Sequence, residues 1–249
     1  PGRLRPRPNG AASSRVKSRV ATVRCLAAAK TDNGGAMNAK NLDMRVQVLT
    51  AAIELASSGR WSQISLSDIA RAANIDLSEL RALFPNKSAI LAAYFADIDH
   101  RVLSQDFGFE AEDTPRDRLF EILMSRFDAL TPHRMAVDAF SRYLPADPIG
   151  ALCLFPTALT SMIWMLEAAG ISSSGPFGLL RAKGLLAVWL TTERVWLGDD
   201  SPDLGPTMAA LDRNLRRAEK FATQLDRFDR PESAKFIDEV GLKASPETD

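Results

Sequence analysis

The sequence predicts an all-α fold of about nine helices, a helix-turn-helix unit followed by a C-terminal helical bundle. Three observations carry this. Apolar residues recur at three- and four-residue spacing in nearly every patterned segment, while strand-like alternation is scarce. Ser, Asp, Asn, Gly and Pro punctuate those segments at positions where helices start and stop. The stretch Ile64 to Lys87, ISLSDIARAANIDLSELRALFPNK, reads as two short capped helices joined by a turn of about four residues.

Residues 1–40 are expected to form a disordered basic extension. They are rich in Arg, Ala, Ser, Pro and Gly and show no apolar periodicity. Three origins fit them: translated sequence upstream of a start at Met37, an Arg-rich and acid-poor organelle transit peptide, or a DNA-binding arm. The first helix spans about Asn41 to Ser58, with Val46, Leu49, Ile53 and Leu55 as its buried stripe. Gly59 ends it and Trp61 packs back on it.

In the pair that follows, Ser65 is the N-cap and Asp68 the acid of a capping box. Leu66, Ile69, Ala70 and Ala73 give the helical repeat. Asn74 is the residue type that closes a helix in the left-handed conformation. Asp76 caps the next helix with Glu79 three residues on, and Leu77, Leu80, Leu83 and Phe84 make one apolar face. Pro85-Asn86 stops it. A fourth helix, Lys87 to Leu103, turns Ile90, Leu91, Tyr94, Phe95 and Ile98 inward. Residues 41–103 thus make one expected domain.

An acidic loop leads into a second domain, 115–228. Its first helix carries Leu119, Phe120, Leu123, Met124 and Phe127 on one face. The next runs from about His133 to Tyr143 and is ended by Pro145 and Pro148. Leu152 to Ala169 and Phe177 to Leu197 are strongly apolar. The last helix, Leu204 to about Phe228, places Met208, Leu211, Leu215 and Phe221 inside. Leu185, Leu186, Val188 and Leu190, with Met208, Leu211 and Leu215, are expected to build a four-helix homodimer interface. Residues 229–249 are a polar, flexible tail.

No uninterrupted apolar run reaches membrane-span length; the longest is Gly184 to Leu190. Cys25 and Cys153 lie far apart, with no metal-binding spacing, as reduced thiols would. Net charge is zero across the 249 residues. It divides into +8 over residues 1–40, where nine bases face one acid, and −8 over the remainder. Between Arg45 and Arg101 the charges cancel, six against six. No phosphate loop, nucleophile elbow or zinc spacing appears, so no enzyme activity and no cofactor are expected. His100 and His133 have no ligating partner at metal spacing.

The segment SLSDIARAANIDLSELRALFPNKSAIL resembles the helix-turn-helix of the TetR family of bacterial regulators. The resemblance rests on Asp68-Ile69-Ala70 and on Phe84-Pro85-Asn86-Lys87. Arg81 stands where that family often carries an aromatic residue. The resemblance implies a cytoplasmic homodimer that binds operator DNA through Ser65, Ser67, Ser78, Arg81 and Lys87. It also implies a bundle that holds a small apolar effector. The residues expected to line that site are Met135, Phe155, Met162, Trp164, Met165 and Trp189, soft and aromatic side chains at helical spacing.

The C-terminal half, WLGDDSPDLGPTMAALDRNLRRAEKF with Trp164-Met165-Leu166 before it, is also similar to the TetR-fold accessory proteins of ubiquinone biosynthesis. That second resemblance implies a lipid or quinone ligand and a ubiquinone-pathway hydroxylase as partner. It implies no DNA binding, and a mitochondrial location if residues 1–36 are a transit peptide.

Overall fold

The computed structural model describes residues 35–229, with side chains over residues 40–222. The basic extension up to residue 34 and the tail beyond residue 229 lie outside the described residues. Nine α-helices are present among the described residues, and no strand. They are α1 (Gly35–Ala56), α2 (Leu66–Ala72), α3 (Leu77–Leu83), α4 (Lys87–Leu103), α5 (Pro115–Leu130), α6 (Arg134–Tyr143), α7 (Pro148–Ala168), α8 (Gly175–Leu197) and α9 (Gly205–Asp229). Single 3-10 turns occur at Trp61–Gln63, Thr131–His133 and Leu144–Ala146.

Among the described residues the chain divides into two compact units, one holding residues up to Ala52 with Ser65–Pro85, the other Ile53–Ile64 with the residues from Asn86 onward. In the first, Val48, Ala51 and Ala52 of α1, Ile69 and Ala70 of α2, and Leu80 and Phe84 of α3 and its C-cap are buried. The α1 stripe differs from the expected one. Val46, Leu49 and Leu55 are only half-buried, and small alanines take the inward positions. Periodicity weighted toward large side chains misses such a face, because alanine admits a close neighbour without adding apolar bulk. Lys40 and Glu79 pair at 3.3 Å, and the Arg45 guanidinium lies 4.7 Å from the Phe84 ring centroid, so both fasten α1 to α3.

In the second unit α4 packs on α5 and α7, α7 on α8, and α8 along α9. Helix α4, grouped with the helix-turn-helix by sequence, buries Ile90, Leu91, Tyr94, Ile98 and Val102 here. Trp61 is buried, with the Phe140 ring of α6 edge-on at 5.0 Å.

Several expectations are corrected. Pro148 opens α7 instead of ending the helix before it. Its missing N–H costs nothing at a first helical position, and the Asp147 side chain caps the Gly150 N–H at 2.9 Å. Helix α7 is long and apolar enough to cross a membrane by length and composition, although no uninterrupted apolar run in the sequence is, and only a third of its apolar window is buried. Phe221, placed inside by periodicity, is exposed. Leu185, Leu186, Val188, Leu211 and Leu215, assigned to a dimer interface, fill the core of this chain. Leu190 is exposed and Met208 half-buried.

Candidate nucleic-acid interface and bundle cavity

The helix-turn-helix is defined by its caps. The Ser65 hydroxyl accepts from the Asp68 N–H at 3.1 Å, and the Asp68 carboxylate accepts from the Ser65 N–H at 3.0 Å. That reciprocal box satisfies two donors that the first turn of α2 leaves open. Hydrogen bonds from the Ser65 hydroxyl and backbone, with the Arg71 guanidinium at 3.0 Å, hold the Asp68 carboxyl below its ordinary value. Asn74 adopts φ 55°. Its N–H bonds to the Arg71 carbonyl and the Ile75 N–H to the Ala70 carbonyl, closing α2 with the double bond of a Schellman motif. Glu79 accepts from the Asp76 N–H at 3.2 Å at the start of α3.

These caps leave one side of α3 open. Leu80 and Phe84 face inward, while Leu77, Ser78, Arg81 and Ala82 are exposed. Helical spacing stacks Ser78 over Arg81 and Ala82, beside Leu77. Leu77, expected on the buried face, is 52% exposed. Ser65 and Ser67 are exposed at the start of α2, but the Ser65 hydroxyl is already engaged by Asp68.

Lys87, expected to contact phosphate, has its ammonium engaged within the chain. Its ammonium donates to the Trp61 carbonyl at 2.7 Å and the Ile64 carbonyl at 2.8 Å, and lies 4.3 Å from the Trp61 ring centroid. Burial lowers its pKa, partly offset by the charge of Asp147. Two of its three donors are therefore committed to the protein's own backbone.

In the bundle, a cavity of about 380 Å³ is walled by α4 to α8. Met162 and Trp189 line it. Met165 is fully buried in packed core, and Met135, Phe155 and Trp164 are exposed to solvent, so these four lie outside the cavity wall. The remaining wall is mostly apolar, from Phe95, Phe140, Leu154, Leu186 and Leu190 among others.

The polar members were not foreseen. The Arg126 Nε donates to Asp99 Oδ1 at 2.8 Å, and Ser161 donates to the other Asp99 oxygen. The Arg126 guanidinium rests 4.2 Å from the Trp189 ring, which itself stacks on Phe127 at 4.3 Å. The Ser141 hydroxyl donates to Glu193 at 2.8 Å. Burial pushes the Glu193 carboxyl up, against the pull of that hydroxyl and of the Arg126 charge. A signal existed in the sequence: Glu193 falls one helical turn after Trp189, just past the apolar run Leu185 to Leu190.

The aspartate-rich turn before α9 is organised by Asp199. One carboxylate oxygen accepts from the Thr207 N–H at 2.9 Å and the Thr207 hydroxyl at 2.5 Å. The other accepts from the Ser201 N–H at 3.1 Å and the Ser201 hydroxyl.

The chain thus joins a capped helix-turn-helix to an α-helical bundle. The chain is similar to the TetR transcriptional regulator from Nitrosomonas europaea ATCC 19718, at 24% identity over 71% of this chain and 98% of that one, with a TM-score of 0.56. It is also similar to a TetR transcriptional regulator from Rhodococcus sp. RHA1, at 20% identity over 71% of this chain and 95% of that one, with a TM-score of 0.53. The fold is therefore the TetR fold. No protein-family model and no curated protein matches the sequence.

Proposed function

We propose that the chain is a homodimeric, operator-binding transcriptional regulator of the bacterial cytoplasm, controlled by an apolar effector in its bundle cavity. The observation that carries the reading is the open face of α3. Leu77, Ser78 and Arg81 stand exposed on a helix whose other side is locked by Leu80 and Phe84. Arginine reads guanine edges in a major groove, serine donates or accepts there, and an exposed leucine suits a thymine methyl. Ser65 and Ser67, at the N-terminal end of α2, are the proposed phosphate contacts. A homodimer would present two recognition helices to half-sites about 34 Å apart. The effector would act by favouring a dimer whose helices no longer match that spacing.

The test is selection of bound fragments from genomic DNA at low salt. Affinity should fall steeply with salt. Arg81→Ala should weaken specific binding by about 1–3 kcal/mol and relax one position of the site. Because charges cancel between Arg45 and Arg101, the protein should bind random DNA weakly. Absence of any enriched sequence would refute the regulator.

A second reading has its own observation. Helix α7 exposes Ile149, Leu152, Phe155 and Trp164, an apolar face of the kind that meets lipid or a partner. This is the surface a lipid-binding accessory protein of ubiquinone synthesis would offer to lipid or to a hydroxylase. That reading gains if the DNA selection fails and the protein binds phosphatidylcholine vesicles.

A further inference from the structure

The bundle cavity carries information about the charge of its ligand. Its volume, about 380 Å³, falls in the lower part of the range of small-molecule sites, about 300–1,000 Å³. Three charge-bearing side chains reach its wall: Arg126, Glu193 and Arg194. Arg194 is exposed and keeps its charge in water. Arg126 is buried, and its charge is answered within the protein by Asp99, which Ser161 also holds. The salt bridge is complete before any ligand arrives.

Glu193 has no such dedicated cation. It takes the Ser141 hydroxyl as donor, and its surroundings disfavour the ionised form. The interior is thus balanced, one guanidinium against one carboxylate, with a carboxyl group beside them that burial holds toward neutrality.

A ligand bringing a positive charge would sit beside Arg126 and would need Glu193 ionised. A ligand bringing a negative charge would find the one buried cation already paired, with two carboxyl groups close by. Either would leave a charge in low dielectric without a full partner, which costs several kcal/mol. The wall does have donors to give, in the guanidinium N–H groups of Arg126 that Asp99 does not take, with the Glu193 carboxyl, which burial shifts toward its protonated form, beside them. Phe95, Phe140, Leu154, Met162 and Leu186 supply apolar wall for the rest of the molecule.

We infer that the cavity takes an uncharged amphiphile, an apolar body ending in a single acceptor oxygen such as a carbonyl, with that oxygen held between Arg126 and Glu193. The inference deepens the effector part of the proposed regulator, yet it concerns the free protein. Its test contains no DNA, so failure of operator binding and failure of ligand selection are separate results.

The experiment is calorimetric titration of the full chain at neutral pH with three probes of equal length: nonan-2-one, nonanoate and nonylammonium. The ketone should bind at least about tenfold more tightly than either ion. Glu193→Gln retains a donor without a charge and should keep ketone affinity within about threefold, whereas Glu193→Leu should lower it about tenfold. Far-UV circular dichroism would verify that both variants fold, and the probe series on the wild-type chain stands without them. Tighter binding of nonylammonium, abolished by Glu193→Gln, would show that the cavity reads a cation and overturn the inference. So would tighter binding of nonanoate, unchanged ketone affinity in a folded Glu193→Leu, or no saturable binding of any probe.

Discussion

Replacing Asp199 with alanine should be among the more damaging single changes in the bundle. The side chain is 4% exposed and Thr207 is fully buried. Alanine leaves the Thr207 N–H and hydroxyl without the carboxylate that both address. A hydrogen bond to a charged group contributes about 1.5–3 kcal/mol, and neighbouring bonds to one carboxylate do not add fully. The two Thr207 bonds therefore set a loss of about 3 kcal/mol, to which the less buried Ser201 bonds add little. For a chain of this size that lowers the melting temperature by about 6–12 °C.

The same substitution has a pH signature. Burial pushes the Asp199 carboxyl up, but the hydrogen bonds from Ser201 and Thr207 outweigh it and hold the group at about 2, below its ordinary 3.8. A carboxyl depressed by folding stabilises fully above the unfolded value, and the contribution disappears as pH falls through the folded value. The gap between wild type and Asp199→Ala should therefore be constant from pH 7 to about 5 and narrow between about 4 and 2. Thermal melts of both proteins by circular dichroism across that range measure it. A variant melting within about 2 °C of wild type at pH 7, or a gap independent of pH down to 2.5, would refute the assignment of Asp199 as the organising group.

Two further outcomes follow from the packing. Lys87→Ala should lower stability by about 1–3 kcal/mol, because two backbone carbonyls lose a charge-assisted donor and the Trp61 ring loses its cation. Urea melts read this directly, and an unchanged midpoint would show that the ammonium is not held by the fold. Leu211→Glu should leave little folded protein rather than a stable monomer, since the leucine is fully buried within the chain and the new carboxylate would have no partner. Sedimentation of a folded, dissociated Leu211→Glu protein would instead place this residue at a subunit interface.

Local chemistry was the part of the fold most legible in the sequence. The Ser65–Asp68 box, the left-handed Asn74 and the bond from the Asp76 backbone to Glu79 depend on residues within a few positions of one another, so spacing alone declares them. Legibility fails where a residue's role depends on distant neighbours. Nothing around Lys87 distinguishes a lysine aimed at phosphate from one that reaches back to Trp61 and Ile64, more than twenty residues earlier. Helix α7 is apolar nearly all round, so periodicity cannot separate Met162 and Met165, which are buried, from Phe155 and Trp164, which are exposed. In α8 and α9 the same leucines suit a core or an interface. Only packing decides between them, and here the core claims Leu185, Leu186, Leu211 and Leu215.

The Lys87 clasp has a consequence for how such a protein diversifies. It pins the point where the chain leaves the second unit, at Trp61 and Ile64, to the point where it returns, at the first residue of α4. Everything from Ser65 to Pro85 is then an excursion with tethered ends. The open side of α3 can vary through Leu77, Ser78 and Arg81 at little cost to the bundle, provided Ile69, Leu80 and Phe84 are kept. Tethering makes that segment an exchangeable part. Variants altered only on that face should inherit the parent's thermal behaviour and, under the operator-binding function proposed above, differ from it only in the DNA they select.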